Sequence, residues 1–96
     1  MADFCITAVR YNEKRTHIDF VLVNEEKPDA LGPDRIVARA FVADLIRLKK
    51  ATFITRFKGP EKGYKHGADV HVIDDEYLTT EPNKTAKDNL GNLPEF

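Results

Sequence analysis

Two segments of alternating apolar residues, FCITAVRY at 4–11 and HIDFVLV at 17–23, stand only five polar residues apart, and that spacing is the strongest constraint on the fold. In the first segment Phe4, Ile6 and Ala8 share one parity, and Cys5, Thr7, Val9 and Tyr11 share the other. The second sets Ile18, Phe20 and Leu22 against His17, Asp19 and Val21. A period of two residues is the signature of a strand with two distinct faces. The connector Asn12, Glu13, Lys14, Arg15 and Thr16 is too short for a crossover, so the strands are expected to pair antiparallel as a hairpin.

The next stretch, NEEKPDALGPD at 24–34, is rich in acids, proline and glycine and reads as a solvated loop. Pro33 suits the first position of a helix, and Asp34 places negative charge at the positive end of the dipole. A helix is therefore expected over 34–50. Val37, Phe41, Leu45 and Leu48, flanked by Ile36 and Ala40, form its buried stripe, and Arg47, Lys49 and Lys50 sit in its last turn.

Phe53, Thr55 and Phe57 alternate again over 52–57, and after the loop KGPEKGYKHG the residues Val70, His71, Val72 and Ile73 read as a fourth strand. These elements predict an α+β fold in the order ββαββ: a four-stranded, mainly antiparallel sheet with one helix packed on a face. The expected core is Phe4, Ile6, Ile18, Phe20, Leu22, Val37, Phe41, Leu45, Leu48, Phe53, Phe57, Val70 and Val72. Residues 1–76 form the compact domain and 77–96 a C-terminal extension. With Tyr77, Leu78, Leu90, Leu93 and Phe96, this extension either straps across the sheet or stays disordered until a partner arrives. Five large apolar residues favour the strap.

A chain of 96 residues, 42% hydrophobic and 32% charged, supports one globular core. Its formal charge of -1 supplies no global field toward nucleic acid or an anionic membrane. No apolar run approaches the roughly 20 residues needed to span a bilayer. Cys5 is the only cysteine, so no intrachain disulfide forms, and a start without a basic region and apolar stretch points to the cytoplasm.

The stretches ITAVRYN at 6–12, GADVHV at 67–72 and YLTT at 77–80, and above all the ending DNLGNLPEF at 88–96, resemble a family of small, mostly bacterial proteins of unknown function. Thr85, Asp88, Asn89, Leu90, Leu93 and Pro94 carry the most specific part of the resemblance. The chain departs from the family pattern at Thr79, where arginine is expected, and in the charged stretch 56–66. The resemblance implies a compact stand-alone module and carries no activity or site residues with it.

Four groups of residues merit attention as sites. Arg47, Lys49, Lys50, Arg56, Lys58, Lys62 and Lys65 place seven cations against Glu61, with Phe57 and Tyr64 interleaved. Cations that attract phosphates, together with aromatic faces on which bases stack, are what single-stranded nucleic acid requires. A helix end followed by a solvated loop accounts for the same residues without a ligand. Leu90, Leu93 and Phe96 would suit a tail that docks on a protein partner. Cys5, His17, His66 and His71 lack any recognised metal spacing, and Cys5 lacks an activating base. Asp74, Asp75 and Glu76 would point alternately to opposite faces of an extended chain.

Gly59, Gly63 and Gly67 do not run from a strand into a helix, as a phosphate-binding loop would require. With no nucleophile–base pair either, the sequence predicts a non-enzymatic module without cofactor or metal. It is expected to bind a protein partner or itself, the alternative being weak single-stranded nucleic-acid binding through 47–65.

Overall fold

In the computed structural model, the described residues are 2–14, 17–28, 31–58, 64–73, 77–80 and 93–96, with backbone alone at 57–58 and 64–66. Five strands form one mixed sheet: β1 (Phe4–Tyr11), β2 (Ile18–Glu25), β3 (Arg35–Ala38), β4 (Phe53–Lys58) and β5 (Tyr64–Asp69), in the order β3-β2-β1-β4-β5. The helix α1 (Arg39–Arg47) joins β3 to β4, and a separate two-stranded sheet pairs β6 (His71–Ile73) with β7 (Tyr77–Thr79). The chain is thus α+β, but its layout is not ββαββ.

The hairpin of β1 and β2 forms as expected, antiparallel from Phe4 opposite Glu25 to Tyr11 opposite Ile18. Its register carries two irregularities that alternation alone conceals. Arg10 pairs with Phe20 and Tyr11 with Ile18, so Asp19 is an extra residue on β2. One inserted residue reverses the facing of everything beyond it. Ile18 therefore points into the core together with Val21 and Val23, while Phe20 and Leu22, expected inside, turn to the other face.

The helix expected over 34–50 is shorter, because Arg35–Ala38 pairs antiparallel with Phe20 to Val23 as an edge strand. The β-branched pair Ile36 and Val37 favours the extended form, and β2 would otherwise present a bare edge. Helical structure begins at Arg39 after an N-cap, Ala38, that makes no side-chain capping bond, so Pro33 and Asp34 do not start it. The buried face shifts accordingly to Val42 and Ala43, with Leu45 and Ile46 partly buried, whereas Phe41 (55%) and Leu48 (54%) are exposed.

β4 runs parallel to β1 from Phe4 opposite Phe53 to Ile6 opposite Thr55, a consequence of the crossover through α1, so the sheet is mixed. The expected loop after β4 holds β5, and the expected fourth strand leaves the sheet as β6. The helix packs against β2, β3, β6 and β7. One core results, built from Ile6, Val9, Ile18, Val21, Val23, Val42, Ala43, Phe53, Val70, Leu78 and Leu93.

Candidate functional site

At the end of the sheet where β1 and β4 begin, an open groove of about 670 Å³ lies between the C-terminus of α1 and the start of β6. Its floor is apolar, with Ile46, Ala51, Phe53 and Val70, and Lys49, Lys50, Asp69 and His71 stand around it. Local backbone chemistry places the two lysines. Lys49 N–H donates to the Ile46 carbonyl at 3.0 Å and Lys50 N–H to the Leu45 carbonyl at 2.8 Å, the paired bonds of a Schellman turn. Lys49 takes the left-handed position, at φ 58°, that glycine ordinarily fills.

Asp3 and Thr52, which also line the groove, are joined by a reciprocal clasp. Asp3 Oδ2 accepts from Thr52 N–H at 2.9 Å and from its hydroxyl at 3.1 Å, and the Asp3 N–H donates to the Thr52 carbonyl at 3.2 Å. The Asp3 carboxylate is therefore turned onto the chain beside it.

The basic residues singled out in the sequence are distributed along β4. Lys49 and Lys50 precede it, and their exposed side chains have no hydrogen bond or ion pair with the described residues. Arg47 pairs with Asp44 at 3.2 Å. Arg56 approaches Glu26 Oε1 at 2.7 Å with both Nε and Nη2, and the Glu26 side chain is almost fully buried. In the backbone register at the far end of β4 and β5, Lys58 is paired with Tyr64 and Phe57 with Lys65. A strand of six residues separates these pairs from Lys49 and Lys50 by roughly 20 Å. Lys62 lies outside the described residues.

Of the tail residues, Leu90 also lies outside the described residues. Leu93 joins the core, and Phe96 is half-buried with the Arg10 guanidinium 4.8 Å from its ring centroid. Val9 donates to the Pro94 carbonyl at 2.9 Å, and Phe96 donates back to the Val9 carbonyl at 3.0 Å. Residues 93–96 thus lie in the plane of the sheet, along the edge of β1 that β4 leaves open beyond Ile6.

The face of β1, β2 and β3 turned away from α1 differs at its two ends. Around Cys5, Thr7 and Asn24 it is polar and buried. The Thr7 hydroxyl donates to Asn24 Oδ1 at 2.8 Å, and Asn24 Nδ2 donates to the Gly32 carbonyl at 3.0 Å and to Asp34 Oδ1 at 2.6 Å. Cys5, fully buried there, has its thiol pushed up to about 11, by burial first and by the Glu26 carboxylate second. Such a thiol is a poor nucleophile. Near β3 the same face is apolar and open: Ile36 is 62% exposed and Phe20 40%.

His17 stacks on Tyr77 with ring centroids 4.5 Å apart, far in sequence from the exposed His71 at the groove. Among the described residues, no three His, Cys, Asp or Glu side chains gather to hold a metal ion, and no helix is long and apolar enough to cross a membrane. Asp74, Asp75, Glu76 and the side chain of His66 are outside the described set.

Sequence reasoning missed the groove and the Glu26–Arg56 pair. Both arise from residues distant in the chain, and no local spacing announces either. Lys49 and Lys50 were visible as cations, but not as the walls of a cleft.

Among the described residues, the fold and these surfaces define a small α+β module with a mixed five-stranded sheet, a small two-stranded sheet, one crossover helix, an open groove at one end and an exposed apolar corner at another. The chain belongs to the DUF3892 family, proteins of unknown function, whose pattern it matches over residues 5–94. Comparison with curated proteins and with solved structures finds no match.

Proposed function

We propose that this chain is a non-enzymatic interaction module that binds a protein partner, or a second copy of itself, through the uncovered corner of its sheet. The observation that carries this reading is the exposure of Phe20 and Ile36 on adjacent strands, beside the edge strand β3. Large apolar side chains clustered on an open face gain free energy when a partner excludes water from them. Among the described residues β3 is the edge strand, and its outer backbone donors and acceptors are ones an incoming strand can satisfy. A photo-crosslinking residue at position 36 should yield one discrete protein adduct, lost on Phe20→Asp. No adduct, or the same adducts from position 44 on the helix, would sink the idea.

A second reading, weak single-stranded nucleic-acid binding, draws support from Lys49 and Lys50, which stand together and exposed. The engagement of Arg47 and Arg56 with carboxylates weighs against it. Amide shifts around 49–58 with a mixed oligonucleotide pool, reversed by high salt, would support it. An unchanged spectrum at low salt would remove it.

A further inference from the structure

The groove at the end of α1 is separate from the sheet corner and has a chemistry of its own. At about 670 Å³ it lies within the range of small-molecule sites. Phe53 and Val70, which line it, are core residues that are almost fully buried, so the floor is apolar and continuous with the core. The consecutive, exposed residues Lys49 and Lys50 at the end of α1 line it and supply its two ammonium charges. Asp3 is held by Thr52, which leaves Asp69, at the end of β5, as the lining carboxylate whose side chain is not bonded to a described residue.

Two features keep the lysine wall receptive to an anion. A helix C-terminus ordinarily repels negative charge through its unpaired carbonyls. Here the carbonyls of Asp44, Leu45 and Ile46 are already taken by the N–H groups of residues 48 to 51. Lys49 also occupies a left-handed backbone position where glycine would be less strained. The side chain retained at that position is a cation that lines the groove.

We propose that this groove binds a free small anionic amphiphile: a carboxylate or phosphate head held by Lys49 and Lys50, and an apolar body lying on Ile46, Phe53 and Val70. Asp69, which lines the groove from β5 and not from α1, orients the ligand, because it disfavours the head on its own side. Long-chain apolar matter without charge gains only the floor, and a small anion without a body gains only the lysines.

The test uses the full chain labelled with ¹⁵N and titrated with octanoate below its micelle-forming concentration. Acetate, octylammonium and a mixed single-stranded oligonucleotide serve as comparators. Octanoate should shift the amides of Ile46, residues 49–54 and residues 70–71, and should bind at least about ten-fold more tightly than acetate or octylammonium. The double variant Lys49→Gly, Lys50→Gln keeps the turn geometry while removing both charges. It should retain the wild-type spectrum elsewhere and lose about ten-fold in octanoate affinity. The proposal is overturned if octylammonium or acetate matches octanoate, if the shifts fall outside the groove, if the double variant binds as well as wild type, or if octanoate produces no shift. An oligonucleotide that shifts the same amides more tightly than octanoate would also overturn it and return the lysines to nucleic-acid binding.

Discussion

Lys49 shows how a single residue works against its own backbone. A side chain in the left-handed region brings Cβ against the following carbonyl, a strain of about 1 kcal/mol that glycine avoids. Lys49→Gly should therefore stabilise the fold by about 0.5 to 1 kcal/mol, read as a higher urea midpoint at unchanged slope. Gly67 is the opposite case. Thr55 sits against a bulge in β5, and its hydroxyl accepts the Ala68 N–H at 3.0 Å, which leaves Gly67 no room. An added Cβ would fall 2.5 Å from the Thr55 carbonyl oxygen. Gly67→Ala should destabilise by about 1 to 3 kcal/mol, and a midpoint equal to wild type would show that the strand yields.

The Cys5 thiol makes a prediction about pH. Its titration is raised from 9.0 to about 11, so over that interval the folded chain keeps a proton that the unfolded chain releases. The associated stability is complete below pH 9.0 and lost as pH rises through about 11. Between pH 7.5 and 10.5 the stability gap between wild type and Cys5→Ala should narrow by about 2 kcal/mol. A constant gap would show that the folded state does not hold the thiol protonated.

At the scale of elements, the bulge at Asp19 decides which side of β2 is core. Its effect is offset locally: Arg39, in the first turn of α1, donates from Nε to the Ile18 carbonyl at 3.1 Å. A cation at a helix N-terminus is unfavourable for the dipole, and this bond accounts for its position. The C-terminal segment solves a similar problem at β1. β4 pairs only with Phe4 to Ile6, and residues 93–96 supply the partners that Val9 then lacks. Leu93→Ala should lower stability by about 2 to 3 kcal/mol in denaturant unfolding, because it empties part of the core. Phe96→Ala should cost about 1 kcal/mol or less, since the ring is half-exposed and its main contact is the Arg10 guanidinium. Equal effects would show that the segment is held by its backbone bonds alone.

For the molecule as a whole, local pattern was enough to determine the α+β class, the antiparallel hairpin of β1 and β2, a helix in the middle of the chain and, from the alternation over 52–57, the strand β4. Each of these depends on residues within one or two turns or strand repeats of one another. The short ambiguous stretches went the other way. Residues 35–38 read equally well as the start of an amphipathic helix, and only the bare edge of β2 drew them into a strand. Residues 64–69 carry glycine and charge, and only pairing with β4 makes them β5. The sides of Phe20 and Leu22 turned on one inserted residue, which alternation cannot reveal. The candidate surfaces follow the same division. Lys49, Lys50 and Arg56 stood out as cations in the sequence, but a charge acquires a role from what lies across from it. Glu26 engages Arg56 from 30 residues away, and the floor beside Lys49 and Lys50 is assembled from α1, β4 and the link between β5 and β6. Sequence alone could therefore specify the local conformations and the supply of charge, while long-range pairing decided which face is buried, which cation is engaged and where a cleft opens.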